Sequence, residues 1–97
     1  MARYIVLSDW TERGVANFGD TVDRYEAAQG QLEGMGVSFE EIYWTLGNHD
    51  MVCIVDAPDD EALAAAVLKV ASLGNLRTTT LRALSTDEMR AVVAKAG

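Results

Sequence analysis

The amino-acid sequence predicts an α+β fold, a four-stranded antiparallel sheet with helices on one face, in the order βαββαβ plus an additional C-terminal helix. Three observations predict it. Short β-branched and aromatic runs alternate with segments of helical period. Two of those runs are separated only by Gly47-Asn48, so they must fold back on each other as an antiparallel hairpin. Helix-start and helix-stop residues punctuate the remaining segments where the period changes.

Tyr4-Ile5-Val6-Leu7, bounded by Ser8-Asp9, reads as the first strand. Thr11 to Gly19 carries two glycines and reads as a loop or a broken helical turn. From Asp20 the residues Val22, Tyr25, Ala28 or Gln29, Leu32 and Met35 follow helical spacing, and Gly34 and Gly36 mark the end. Gly30 inside this helix costs about 1 kcal/mol relative to alanine, which predicts a close packing contact there. Val37 to Leu46 reads as the second strand and His49 to Asp56 as the third.

Ala57-Pro58-Asp59-Asp60-Glu61 starts the next helix. Proline loses nothing at a position whose N–H has no partner, and the acids oppose the positive end of the helix dipole. That helix ends at Gly74, and Asn75 to Leu84 forms the fourth strand, with the polar stripe Arg77-Thr78-Thr79-Thr80-Leu81-Arg82. Ser85 and Glu88 have capping-box spacing ahead of a final helix carrying Met89, Val92, Val93 and Ala96. The order is that of the ferredoxin-like split βαβ arrangement.

Ninety-seven residues suit one domain, residues 1–97. A chain of this length buries about 60–65% of its unfolded surface. An apolar content of 49% with a single proline argues against disorder. The net charge of -7 disfavours duplex nucleic acid and anionic membrane, both of which reward clustered Lys and Arg. The longest apolar run, Ala62 to Val67, is too short to span a bilayer, and the start of the chain has no secretory signal pattern, so a cytoplasmic location is expected. Cys53 is the sole cysteine, which excludes an intrachain disulfide; in its apolar surroundings it reads as a small core hydrophobe.

Alternation along strands divides their side chains into two sets. Ile5, Leu7, Ile42, Trp44, Leu46, Val52, Ile54, Leu81 and Ala83 are almost wholly apolar and are expected under the helices. Tyr4, Val6, Ser8, Tyr43, Thr45, His49, Met51, Cys53, Val55, Thr78, Thr80 and Arg82 form a mixed set expected on the other face. An apolar patch of that size on a water-facing sheet predicts a homo-oligomer, a dimer foremost, that buries it. Within the mixed set, Tyr43, Thr45, His49, Thr78, Thr80 and Arg82 make a candidate pocket with hydroxyls, an imidazole and a cation, suited to a small anionic molecule.

The sequence also resembles the GYD domain family along nearly its whole length. The residues that carry the resemblance are Tyr4-Ile5-Val6-Leu7 with Thr11 and Gly14, Arg24 and Ala28, Tyr43 to Asp50, Ala57 to Asp60, and Ser72 to Ala83. Gly47 and Asp50 match the motif that gives the family its name, whereas His49 stands where the family has tyrosine. The resemblance implies a ferredoxin-like, dimeric α+β barrel type protein of unassigned function, and it carries over no catalytic residue. Relatives by fold alone include cofactor-free monooxygenases and haem-binding proteins, and fold does not fix function.

Four functions compete on this basis. The first is an oligomeric small-molecule-binding or regulatory module. The second is a monooxygenase or isomerase-like enzyme with His49 as general base and Tyr43 or Arg82 stabilising negative charge. A haem or metal site on His49 ranks last, since one histidine with Asp50 nearby falls short of a ligand set, and no cofactor is expected. The fourth is a purely structural or interaction role.

Overall fold

Nine extended residues, β1 (Ala2–Trp10), form a central strand of the sheet in the computed structural model, which describes residues 1–97. On one side β1 pairs with β3 (Met51–Ala57), on the other with β4 (Leu76–Ala83), and β2 (Ser38–Trp44) pairs with β3. The order β2-β3-β1-β4, antiparallel throughout, is that of the predicted ferredoxin-like sheet. A bulge between Phe39 and Glu41 shifts the β2–β3 register.

The helices are α1 (Glu12–Ala16), α2 (Thr21–Glu33), α3 (Asp60–Ala71) and α4 (Thr86–Ala96), with a 3-10 turn at Phe18–Asp20. The segment expected as a loop therefore holds α1, because Thr11 caps it by accepting from the Gly14 N–H at 3.1 Å. The Thr11 hydroxyl also donates to the Gly74 carbonyl at 2.7 Å, tying α1 to the start of β4. Gly14 is needed for this approach, since a Cβ there would lie 2.1 Å from the Asn75 carbonyl oxygen. Gly30 has no such contact: nothing lies within 4 Å of a Cβ built on it, and its side of α2 faces solvent. At α3 the cap is Asp59, which accepts from the Ala62 N–H at 2.8 Å, and at α4 the predicted Ser85–Glu88 capping box is complete.

The core corrects the assignment of faces. Tyr4, Val6, Cys53 and Val55 are buried against Leu32 of α2 and Leu63 and Ala66 of α3. The set beneath the helices on β1, β3 and β4 is thus the mixed one, and Ile5, Leu7, Val52, Ile54 and Leu81 point to the open face. The second strand goes the other way: Ile42 and Trp44 sit beside Cys53 and Met51 on the helix face, and Tyr43 beside Val52 on the open one. Apolarity alone groups Ile42 with Ile54, but pairing across the hairpin groups it with Cys53.

Only 12 of 97 residues are buried, because nothing covers the second face of the sheet and α4 packs none of its side chains into the core. Met89, Val92 and Val93 of α4 are exposed. No helix is long and apolar enough to cross a membrane.

Candidate functional site

The six residues expected to share a pocket are distributed over both faces and a loop. Tyr43 lies on the open face, 55% exposed, its hydroxyl donating to Glu41 at 3.2 Å. Thr78, Thr80 and Arg82 lie on the helix face, opposite Ser8, Val6 and Tyr4. Thr45 and His49 belong to neither strand, since β2 ends at Trp44 and β3 starts at Met51. The two-residue turn expected at Gly47-Asn48 is in fact the tip of a longer loop. It is closed by the Thr45 hydroxyl donating to the His49 carbonyl at 2.6 Å, with Gly47 at φ 110°, where a side chain is strained.

Arg82 is engaged as a structural cation. Its guanidinium lies 5.5 Å over the Tyr4 ring, donates to the Arg3 and Ala83 carbonyls, and pairs with Glu88 at 3.3 Å. Tyr4 in turn donates its hydroxyl to Asp60, and that bond, then burial, raises the phenol's pKa. Asp50 ties the hairpin to β1: its N–H donates to the Ser8 carbonyl and its carboxylate accepts from the Trp10 N–H, both at 2.9 Å. His49 Nδ1 lies 3.2 and 3.3 Å from the carboxylate oxygens of Asp9, at one end of the sheet. The motif residues Gly47, His49 and Asp50 therefore organise the hairpin end.

The space that can take a ligand lies between the sheet and helices α2 and α3, and of the six residues it is lined by Thr78 alone. A cavity of about 90 Å³ opens there over Val6, Cys53 and Val55. Its inner end is built from Leu32, Val37, Leu63 and Ala66, all buried. Its outer end carries Trp10, Arg24, Asn75 and Thr21, all half-buried. Burial pushes the Cys53 thiol up to about 11, so it stays neutral and acts as wall.

Two polar groups at the outer end stand out. The Trp10 indole Nε1–H is buried and has no hydrogen-bond partner. Arg24 donates to the Gly14 carbonyl at 3.1 Å and has no carboxylate within ion-pair distance. Gly14 presses on Asn75, and Asn75 adjoins Leu76, the cross-strand partner of Trp10, so these groups converge on one end. The sequence reading missed this site because it placed Ser8, Cys53 and Thr78 on the open face; the available signal was Ser8, a hydroxyl amid an apolar strand.

Residues 4–93 match the GYD domain family. A curated protein of Thermus thermophilus, named a glutamine synthetase and cystathionine beta-lyase binding protein, is 34% identical over 90 residues, spanning 92% of this chain and 95% of its own. Among solved structures, the fold is similar to two Mycobacterium tuberculosis regulators. The leucine response regulatory protein superposes with a TM-score of 0.67 at 20% identity over 88% of this chain. A feast or famine regulatory protein complexed with L-methionine gives 0.68 at 19% over 89%. The chain spans about half the length of these regulators, 51% and 52%, so they establish the fold alone.

Proposed function

The chain belongs to the GYD domain family, and on that premise we propose that it is a small oligomeric binding or regulatory module that pairs through the open face of its sheet and takes a small molecule in each subunit. The observation that carries this reading is the open face itself. Ile5, Leu7, Val52 and Ile54 form an apolar centre with no helix over it, and Leu81 beside them is 46% exposed. The rim is charged: Arg3 pairs with Asp56 at 2.9 Å, Arg77 lies opposite Asp9 in the β1–β4 register, and Glu41 lies opposite Ile54. An apolar centre inside a polar, charged rim is the pattern of a subunit interface.

The similarity to the Thermus protein, over nearly the full length of both chains, supports a role in binding other proteins as well. Light scattering tests the oligomer. The expected result is a mass of at least twice 10.5 kDa, reduced to monomer by Ile54→Asp. A monomeric parent protein at working concentration refutes the proposal.

A second reading, cofactor-free monooxygenase or isomerase chemistry, rests on the His49–Asp9 pair, in which the carboxylate would orient the ring and leave Nε2 as the base. Neither Tyr43, on the open face, nor Arg82, paired with Glu88, joins His49 in a common pocket. His49→Phe separates the readings, since it leaves binding intact under the first and abolishes turnover under the second.

A further inference from the structure

We propose that the cavity between the sheet and helices α2 and α3 is a binding site for a short aliphatic carboxylate. The proposal rests on the reading of the chain as a ligand-binding module and assigns that ligand a place and a chemistry. Its hydrocarbon lies among Val6, Cys53, Leu63 and Ala66, and its carboxylate sits at the outer end between Trp10 and Arg24.

Size is the first argument. At about 90 Å³ the cavity exceeds what one water requires, roughly 10–15 Å³, and falls short of the roughly 150 Å³ that accommodates a benzene ring. An acyclic body of a few carbons fits, with the head group left at the half-buried end. Lining is the second. Of the 22 residues around the cavity 17 are hydrophobic, so water confined there finds few partners and a hydrocarbon is favoured.

The head group follows from the two polar groups at the outer end. A buried indole N–H can only donate, and without an acceptor it retains its desolvation cost. Arg24 is permanently charged and planar, and its partner in the chain is a neutral carbonyl. An acceptor that also carries negative charge satisfies both, and a carboxylate is the smallest common group that does so. A cationic ligand would be repelled by Arg24, and a neutral alcohol would leave its charge without a counterion.

Isovalerate is the probe, with isovaleramide as its neutral counterpart of nearly equal shape. The NMR resonance of the Trp10 indole N–H, identified by its loss in Trp10→Phe, should shift on titration with isovalerate. Isovaleramide, or isovalerate with Arg24→Gln, should bind at least about tenfold more weakly, as expected on losing a charge-assisted hydrogen bond. Ala66→Leu should fill the inner end and prevent the shift, with Val70→Phe as the second filling variant if Ala66→Leu fails to fold. The proposal is overturned if millimolar isovalerate leaves the Trp10 resonance in place. It is equally overturned if the amide binds as well as the acid, or if binding survives both Arg24→Gln and a folded filling variant. The oligomer test fails independently: a dimer without the resonance shift loses this site alone, and a monomer with it loses only the pairing.

Discussion

Replacing Gly14 with alanine tests how closely α1 packs against the start of β4. The new Cβ would lie 2.1 Å from the Asn75 carbonyl oxygen, whereas ordinary contact begins at 3.4 Å, so backbone must move by more than an ångström. The same oxygen accepts from the Thr11 N–H at 3.0 Å, and the displacement breaks that bond. Overpacking of this kind costs about 1–3 kcal/mol and the lost hydrogen bond about 1 more, so Gly14→Ala should destabilise by about 2–4 kcal/mol. Against a total of about 5–15 kcal/mol for a native domain, that is a large fraction. Gly30→Ala is the internal control: its Cβ meets nothing, and the helix should gain about 0.5–1 kcal/mol. Urea denaturation at fixed protein concentration, followed by circular dichroism, measures both, with the concentration held because oligomerisation shifts apparent stability. A Gly14→Ala change below about 0.5 kcal/mol, the size of an ordinary surface substitution, would refute the steric reasoning.

Three further outcomes follow from the structure. Asp56 is held below the usual carboxylate range by its bidentate hydrogen bonds to Arg3. Its folded pKa is depressed, so its contribution is complete above the unfolded value of about 3.9 and is lost as pH falls through the folded one. Asp56→Asn should therefore flatten the acid limb of a stability–pH profile, and an unchanged limb contradicts the pairing. With its pKa raised to about 11, Cys53 should react with a thiol reagent at pH 8 roughly two orders of magnitude more slowly in the native than in the unfolded chain; rates within tenfold of each other would place the thiol in solvent. Ser85→Ala removes a cap worth about 0.5–2 kcal/mol to α4. Because α4 buries no side chain, amide exchange over Thr86–Ala96 should accelerate while the global denaturation midpoint holds; a falling midpoint shows that α4 packs in the assembled protein.

The strands, helices and caps were legible because each has a local cause: β-branched runs, helical spacing, the acids at the start of α3, Ser85 and Glu88 as a box; only Pro58, expected in the first turn of α3, precedes its cap Asp59 instead. Short α1 was less so, since its cap, Thr11, bonds to Gly74 across the chain. Parity likewise told which residues of one strand share a face, but not which face the helices cover, and choosing the more apolar set was the natural inference for an isolated chain. The structure reverses that choice on three strands. Ser8, Thr78, Thr80 and Arg82 sit on the helix side, and Ile5, Leu7, Val52 and Ile54 on the other. The candidate pocket dissolved for the same reason, because Tyr43 follows its own strand's phase to the open face. Yet the reversal has a physical meaning. A chain selected to fold alone would place its most apolar sheet residues beneath its helices. Leaving them uncovered while the covered side tolerates hydroxyls and an unpartnered indole is the arrangement that the proposed pairing through the second face and the proposed ligand beneath the helices would account for.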